Sequence, residues 1–513
     1  MKITYIAFIV VAGSLFGHSS LAYAESWLSK LTPNLKKQRE TLWFDELTAQ
    51  RKARENETKR KQIEQQLNQS VSLDLQNQKI LSQPQYCLSQ SNLKNEQPIE
   101  LIDAIERAVC RNPETKSAWV QTRIQAAQLK ISKANYYPQV NSTLNYDWSR
   151  DDNQVKDRPV LSYDTDLRRY GLGIRANWLL YDFGSRFYQA EEAEKLLAMS
   201  LAQHDVALQN MIIKTISTYY QIIQAELKLN NINELVVLAE KNYEIANARY
   251  RAGVGIKSDA LQMSANLAKA KSDQTKFLGD LKIAKGLLAS LMGEPTYQNF
   301  KINNQLKIPK ELDLKPIEML IQDAEKMHPK FKAAQYDSLA AENKIKAIQR
   351  SRYPSISFNG IYDQQKQTSD SYGSDRQSLQ AGVQVNFPLF DGYNRKNQIV
   401  VAQENLKLKQ LEQERLKLEI NAEIWKNYNE LNAIHDNIKA LTILNQSASE
   451  AYEVAQGRYK AGVGNLLEVL NAQNVLSEAK MNYSTLLTEF LVVRYQLLSN
   501  MGNLNIWNET QAQ

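Results

Sequence analysis

One feature limits the possible folds of this sequence more than any other. It is a stretch that occurs twice, each time with a glycine-rich turn between two long helical segments. ARYRAGVGIKSDALQMSANLAKAKSD begins at Ala248, and GRYKAGVGNLLEVLNAQNVLSEAKMN begins at Gly457, which is 209 residues later. At this offset the correspondence covers residues 181–293 and 390–502. The chain is therefore predicted to be a duplicated unit.

The segment before each turn predicts a very long helix. Neither glycine nor proline occurs from Ser185 to Ala252 or from Tyr393 to Gln456. Because both residue types disfavour helix interiors, uninterrupted helices are predicted at about 184–252 and 393–461, each about 100 Å long.

A shorter helix is predicted after each turn, at about 258–292 and 465–500, so each copy forms a helical hairpin with unequal arms. In the long arms apolar positions recur in steps of three and four, which is typical of coiled coils, although an ordinary bundle core has the same local pattern. The positions are Ile222, Ala225, Leu229, Ile232, Val236, Ala239, Tyr243, Ala246 and Tyr250, then Leu431, Ile434, Ile438, Leu441, Asn445, Ala448, Tyr452, Ala455 and Tyr459.

The N-terminus has the features of an export signal. An apolar run from Ile3 to Gly17 follows one lysine and is followed by the small-x-small pattern Ala22-Tyr23-Ala24. We expect cleavage between Ala24 and Glu25, whereas a membrane anchor is the alternative that the short run and its polar flank disfavour. A glutamate at position 25 excludes a lipoprotein cysteine there.

Two cysteines, Cys87 and Cys110, occur in the chain. Because an exported chain leaves the reducing cytosol, a disulfide between them is predicted, and two unrelated buried thiols are the alternative.

Alternating residues predict two β-hairpins, with strands at about 138–150 and 169–181 in the first copy and 354–364 and 378–389 in the second. The first copy carries seven extra residues between Pro138 and Tyr181, and because insertions occur in loops, a loop is expected within this range. A soluble antiparallel sheet also alternates.

The context favours a membrane barrel, because strands of about ten residues with aromatic ends and uncharged polar groups on the other face occur in an exported chain. Four strands cannot close a barrel, and open edges are not tolerated in lipid. Assembly is therefore expected, and three copies would supply twelve strands.

Composition excludes several function classes. The 513 residues are 23% charged and 43% apolar, with a net charge of +7, which is too mild for a nucleic-acid-binding signature. No transmembrane helix is predicted after the signal. The histidines that remain, His204, His328 and His435, lie in no metal-ligand spacing and beside no nucleophile, so no catalytic residue, metal or cofactor is predicted.

The combination of an export signal, an internal duplication, strands that interrupt long helical hairpins and tips reading YRAGVG and YKAGVG resembles the TolC family of outer-membrane export ducts over residues 97–502. The resemblance implies a mainly α fold with a membrane β-barrel portion: a homotrimer with a twelve-stranded barrel on a twelve-helix periplasmic tunnel. It implies export in type I protein secretion or multidrug efflux, and no enzymatic activity.

The resemblance also implies the partners. A periplasmic adaptor, an inner-membrane pump that is either an ABC or a proton-driven transporter, and outer-membrane lipid are expected, whereas nucleic acid is not. A periplasmic coiled-coil adaptor or a surface adhesin is the alternative function, although an adaptor typically has one helical hairpin inside a β-rich domain.

Pore and gate residues follow from aligning the tip glycines with the family. The acidic positions that narrow the pore fall on Glu468 and Asn471, so one carboxylate is retained and one is lost, and weakened cation preference is expected. Asn465 and Glu468 also form a capping-box pattern, and capping alone is the alternative role.

The family's gate-restraining residues correspond to Asp259 and Tyr459. Adaptor docking is implied at the tip glycines, although turn formation alone is the alternative. These glycines are Gly253, Gly255, Gly462 and Gly464. Some members have a restraining arginine at the position of Gly464, which puts that contact in doubt.

The predicted organisation is a signal peptide (1–24), a charged helical extension (25–96), a first repeat (97–294), a linker (295–314), a second repeat (315–502) and a tail (503–513). The extension is expected to wrap around the tunnel, with contact to an anionic surface as the alternative. With Cys87 and the AVCRNPE context of Cys110, it is similar to members that serve type I secretion, such as cyclolysin export.

Overall fold

The computed structural model describes residues 98–304, 306, 314–369 and 372–502, all within one structural unit that spans Gln85–Gln513. No helix in these ranges has an apolar stretch long enough to cross a bilayer. Ala24, Glu25, the extension, Cys87 and the tail lie outside the described residues, so the cleavage site and the Cys87–Cys110 pairing stay predictions.

The two repeats contain helices of matching length. The first repeat has α1 (Leu101–Arg111), α2 (Pro113–Ala134), α3 (Ser185–Arg251) and α4 (Lys257–Leu291), and the second has α5 (Ile317–Met327), α6 (Pro329–Arg350), α7 (Asn394–Lys460) and α8 (Leu466–Asn500). Both α3 and α7 have 67 residues, and both α4 and α8 have 35. The ends of these four helices lie within one residue of the predicted ends.

The helices form two hairpins that contact each other. Helix α3 packs along α4, and α7 packs along α8, while α8 also contacts α3 and so joins the repeats. Helix α6 lies against both long arms, and α2 lies against α3.

The predicted seven-residue period corresponds to burial for most positions, as shown by Ile222 and Leu431, which are 0% exposed. Tyr250 is an exception, since it is 41% exposed whereas its counterpart Tyr459 is 4% exposed. Within a single chain, the prediction that Tyr250 is a core position is therefore wrong. Of the two equivalent tyrosines, only Tyr459 on α7 lies between the two helical hairpins.

A proline-led break separates α1 from α2 and α5 from α6. The Asn112 side chain accepts a hydrogen bond from Glu114 N (2.8 Å), and His328 Nδ1 accepts one from Lys330 N (3.1 Å). Each break thus has an N-cap followed by proline at the first helical position, which satisfies amides that the helix leaves unpaired. The cap in the second repeat needs a neutral imidazole.

Burial, with a smaller contribution from Lys330, lowers the pKa of His328 to about 4. Since the unfolded imidazole has a pKa of about 6.5, the unfolded chain binds the proton first as the pH falls. The stability contributed by neutral His328 is therefore complete above about pH 6.5 and is lost progressively towards pH 4.

We predict that His328→Asn, which installs the cap of the first repeat, removes this pH dependence. The thermal unfolding midpoint of the variant, followed by far-UV circular dichroism, should rise relative to wild type as the pH falls from 7 to 4. Other titrating groups affect both proteins equally. A difference between the two midpoints that is constant over this pH range would contradict the role of His328.

The strands are β1 (Gln139–Asn153), β2 (Tyr163–Tyr181), β3 (Ser355–Ser369) and β4 (Gly373–Asn386), which form one antiparallel sheet in the order β1-β2-β3-β4. The predicted hairpins are present, but β2 begins six residues before the predicted start, and β3 ends five residues later. Backbone pairing continues beyond the apolar alternation that guided the prediction. Strand β4 ends before the predicted Leu389, since Pro388 has no amide to donate.

The seven extra residues of the first repeat lie mainly in the β1–β2 connection. This connection comprises residues 154–162, against 370–372 in the second repeat, and contains one 3₁₀ turn. Tyr163, the first residue of β2, corresponds to Tyr372, which directly precedes β4, and this difference accounts for the seventh residue. The predicted loop is therefore at the hairpin end, away from the helices.

The two faces of the sheet differ in chemistry. One face carries exposed apolar side chains, such as Leu144 and Leu379, which are 81% and 80% exposed. The other carries mainly amides, hydroxyls and glycines; across the strands, for example, Asn141 lies opposite Arg175 and Asn359 opposite Gly382. A water-exposed apolar face of this size needs a covering surface.

Two consecutive residues with left-handed backbone conformation connect each β-hairpin to the long helix that follows it. They are Phe183 (φ 54°) and Gly184 (φ 93°) in the first repeat, and Gly392 and Tyr393 (both φ 64°) in the second. The repeats keep the backbone but exchange the order of glycine and aromatic residue, so an aromatic residue adopts an unfavourable φ in each.

Candidate functional site

The turns that end the two hairpins lie next to each other. Gly253 (φ 72°) and Gly462 (φ 82°) adopt the left-handed conformation that glycine permits. Gly255 and Gly464 are constrained by space, because a Cβ would lie 3.0 Å and 2.9 Å from the Cβ atoms of the preceding arginines, Arg249 and Arg458.

The backbone closes each tip in the same way. Val254 N and Gly255 N both donate to the carbonyl oxygen of Arg249, and Val463 N and Gly464 N donate to that of Arg458. These contacts account for turn formation by the tip glycines, while the predicted adaptor docking at them stays a prediction.

The structure brings the two predicted restraint residues together. Tyr459 on α7 donates its hydroxyl to Asp259 Oδ2 in the first turn of α4, at 3.4 Å. Burial, followed by the nearby Asp259 carboxylate, raises the pKa of the Tyr459 hydroxyl, which therefore stays a donor at neutral pH. The contact joins the first hairpin to the second.

Sequence reasoning missed Arg249, which also crosses between the hairpins. Its Nη1 donates to the carbonyl oxygen of Tyr459 (2.9 Å), and its guanidinium lies 5.2 Å from the centre of the Tyr459 ring. A Cβ at Gly462 would lie 3.3 Å from Arg249 Nη1, so glycine leaves room for the guanidinium. The signal was the arginine that both repeated stretches share, at 249 and 458.

A buried polar network lies further along the hairpins and was also missed. Asn242 of α3 donates from Nδ2 to Tyr452 Oη (2.9 Å) and Gln473 Oε1 (3.1 Å), and it accepts from Gln456 Nε2 (2.7 Å). Asn242, Tyr452 and Gln473 are 1%, 3% and 2% exposed.

One residue of the first hairpin thus binds three side chains of the second in surroundings that exclude water. The neighbouring core includes Ala246, Met263 and Leu476. Separating the hairpins would leave Asn242 and Gln473 without these partners, which is costly inside a protein, whereas Gln456 Nε2 still donates to Tyr452 Oη (2.9 Å) within α7.

The predicted pore residues Glu468 and Asn471 are both exposed on α8. Glu468 N donates to the Asn465 side chain (2.8 Å), so the cap is present. The Glu468 carboxylate lies 4.0 Å from Arg458 Nη1. Capping therefore uses the backbone of Glu468, and its exposed carboxylate has a charge partner at the tip. Its role in the pore stays a prediction.

A sequence model of the family described as outer membrane efflux protein matches residues 104–294 and 320–503. The two matched ranges correspond to the two repeats. Similar proteins include CyaE of Bordetella pertussis, which is 24% identical over 79% of this chain and 84% of its own length. TolC of Vibrio cholerae is 20% identical over 79% of this chain and 91% of its own length.

Solved structures share the fold. The outer-membrane channel OprN superposes with a TM-score of 0.69 at 17% identity, covering 82% of this chain and 96% of OprN. CusC superposes with a TM-score of 0.67 at 19% identity, covering 82% of this chain and 96% of CusC.

Proposed function

This chain belongs to the outer membrane efflux protein family and is an outer-membrane export channel, and we propose that three copies form one duct with a twelve-stranded barrel above a periplasmic helical tunnel. Family members are channels and not enzymes. The duct passes cargo that a periplasmic adaptor and an inner-membrane pump deliver. Docking of the adaptor occurs at the glycine tips.

The observation that carries this proposal is the two-faced sheet with unpaired edges. In the described part of the chain, β1 and β4 have one neighbouring strand each. An apolar face that contacts lipid cannot leave a row of unpaired amides and carbonyls at its edges. Pairing of β4 with β1 of the next copy removes every edge, and twelve strands enclose a water-filled interior.

Isolated outer membranes test the assembly. The full chain should migrate in detergent gels as a band of three copies that boiling converts to one copy, and it should form channels in planar bilayers. Recovery as a soluble periplasmic monomer would instead favour the adaptor or adhesin alternative.

The tip contacts support a gate between the hairpins. Tyr459–Asp259, Arg249–Tyr459 and the Asn242 network all join the first hairpin to the second. In the proposed closed state these contacts hold the tips together, and adaptor binding shifts the population towards separated tips.

Charge selectivity gives a prediction at the narrow end. Three copies of Glu468 would form an acidic ring, so Glu468→Gln should lower the cation-to-anion permeability ratio, while Asn471→Asp, one turn further on the same face, should raise it. Reversal potentials in planar bilayers under a salt gradient measure both ratios.

Glu489→Gln provides the control for this prediction, because it removes the same charge from an exposed position of the same helix, 21 residues further from the tip. If the wild type and both tip variants have equal cation-to-anion permeability ratios, the proposed acidic ring does not control selectivity.

A further inference from the structure

A shallow groove of about 450 Å³ crosses the apolar face of the sheet over β1, β2 and β3. In the strand register, Leu144 lies opposite Leu172, and Tyr146 lies opposite Tyr170. Lys366 of β3 lies opposite Tyr170 and lines the groove. The groove therefore combines an apolar floor with a cation on one side.

A second cation lies beside this lysine. Arg168 is two residues from Tyr170 on the same face of β2, so it is the diagonal neighbour of Lys366 across the strand pair. Both side chains are exposed, and neither forms an ion pair within 4.0 Å in the described ranges. Asp375 lies opposite Lys366 on β4, and Asp166 lies next along β2 on this face.

The two cations lie at one end of the groove, towards the hairpin loops. The helices leave the sheet at its other end, where β2 is followed by α3 and β4 by α7. Since the helices are periplasmic in the proposed function, on which this inference rests, the cations lie at the level of the outer leaflet.

We propose that this groove binds a phosphate-bearing glycolipid of the outer leaflet. An acyl chain would lie along Leu144 and Leu172, the tyrosine pair would lie at the interface between acyl chains and headgroups, and Lys366 and Arg168 would bind the phosphate. Aromatic side chains favour this depth, and cations next to it attract anionic headgroups. The groove therefore has an apolar floor for an acyl chain and two cations at its loop end for an anionic headgroup.

Lipid titration of the purified full-length protein tests this site. The probes are hexa-acylated bisphosphoryl lipid A and the same lipid without phosphates, and native mass spectrometry counts the bound molecules. The double variant Arg168→Gln/Lys366→Gln should bind bisphosphoryl lipid A about thirtyfold more weakly than wild type, since each basic residue near a membrane surface contributes a factor of about five. Binding of the phosphate-free lipid should be equal in the two proteins.

The matched control is Arg169→Gln/Arg175→Gln, which removes two cations from the opposite face of β2. It should bind bisphosphoryl lipid A as wild type does. The lipid site is overturned if Arg168→Gln/Lys366→Gln binds bisphosphoryl lipid A as wild type does, or if both double variants bind it equally weakly. If the variants still form channels in bilayers, this result leaves the proposed function intact. A wild-type protein found as a soluble monomer would overturn the proposed function together with it.

Discussion

Asn242→Leu is expected to open the channel. Leucine has a similar volume but leaves the buried Gln473 amide oxygen without its donor, while Tyr452 and Gln456 keep only their bond to each other. An unsatisfied buried polar group costs about 1–3 kcal/mol. A loss of about 3 kcal/mol in each copy shifts the closed-to-open ratio by about a hundredfold per copy. Single-channel conductance in planar bilayers should therefore rise well above that of the wild type.

Asn231→Leu is the control for this prediction. Asn231 also joins α3 to α8, through Lys480 O (3.2 Å) and Ser484 Oγ (2.8 Å), but it lies eleven residues further from the tip. This variant should lose stability without gaining conductance. If both variants conduct as the wild type does, the network is structural and has no part in the gate.

Arg186→Met is expected to cost about 3–5 kcal/mol of stability, which is the usual cost of removing one partner of a buried ion pair. Arg186 is 7% exposed and connects the sheet to the helices. It contacts the Asp182 carboxylate and donates to the carbonyl oxygens of Asn135, Leu179 and Leu180, at 3.0, 2.7 and 3.3 Å. Methionine fills most of the space but leaves Asp182 and three carbonyls unpaired.

Urea unfolding of the purified protein in detergent measures this cost, and the second repeat supplies a graded comparison. Arg395 makes the corresponding contacts with Asp391, Ser351 and Pro388, but its side chain is 19% exposed, so Arg395→Met should cost less. Arg352→Met changes an exposed arginine whose bond is to its neighbour Tyr353 and should have little effect. Equal midpoints for Arg186→Met and Arg352→Met would contradict the proposed role of the junction.

The helices could be placed from the sequence because their determinants are local. Glycine and proline fix the helix ends, and the seven-residue period fixes which side of a helix is buried, so the observed ends of α3, α4, α7 and α8 differ from the predicted ones by at most one residue. The strands were less well bounded. Pairing of polar residues such as Asp152 with Asp164 depends on the partner strand and leaves no apolar pattern.

The site was only partly visible in the sequence. Alignment of the tips gave Tyr459 and Asp259, which do meet, but the repeat alone treats Arg249 and Arg458 as equivalent. In the structure Arg249 reaches the other hairpin, whereas Arg458 lies near Glu468 of its own hairpin. Asn242 and Gln473 gave no signal, because isolated amides in a helix are usually solvent-exposed.

By itself the sequence determined the duplication, the lengths of the helices and the alternation of the strands, since each depends on residues that are close along the chain. Only the tertiary structure decided which of two equivalent side chains, Tyr250 or Tyr459, became buried and which polar groups of the two hairpins met. Two copies with nearly the same local sequence fold alike, but they occupy different surroundings once α8 packs against α3. Burial and hydrogen-bond partners are properties of those surroundings, and residues more than two hundred positions apart create them.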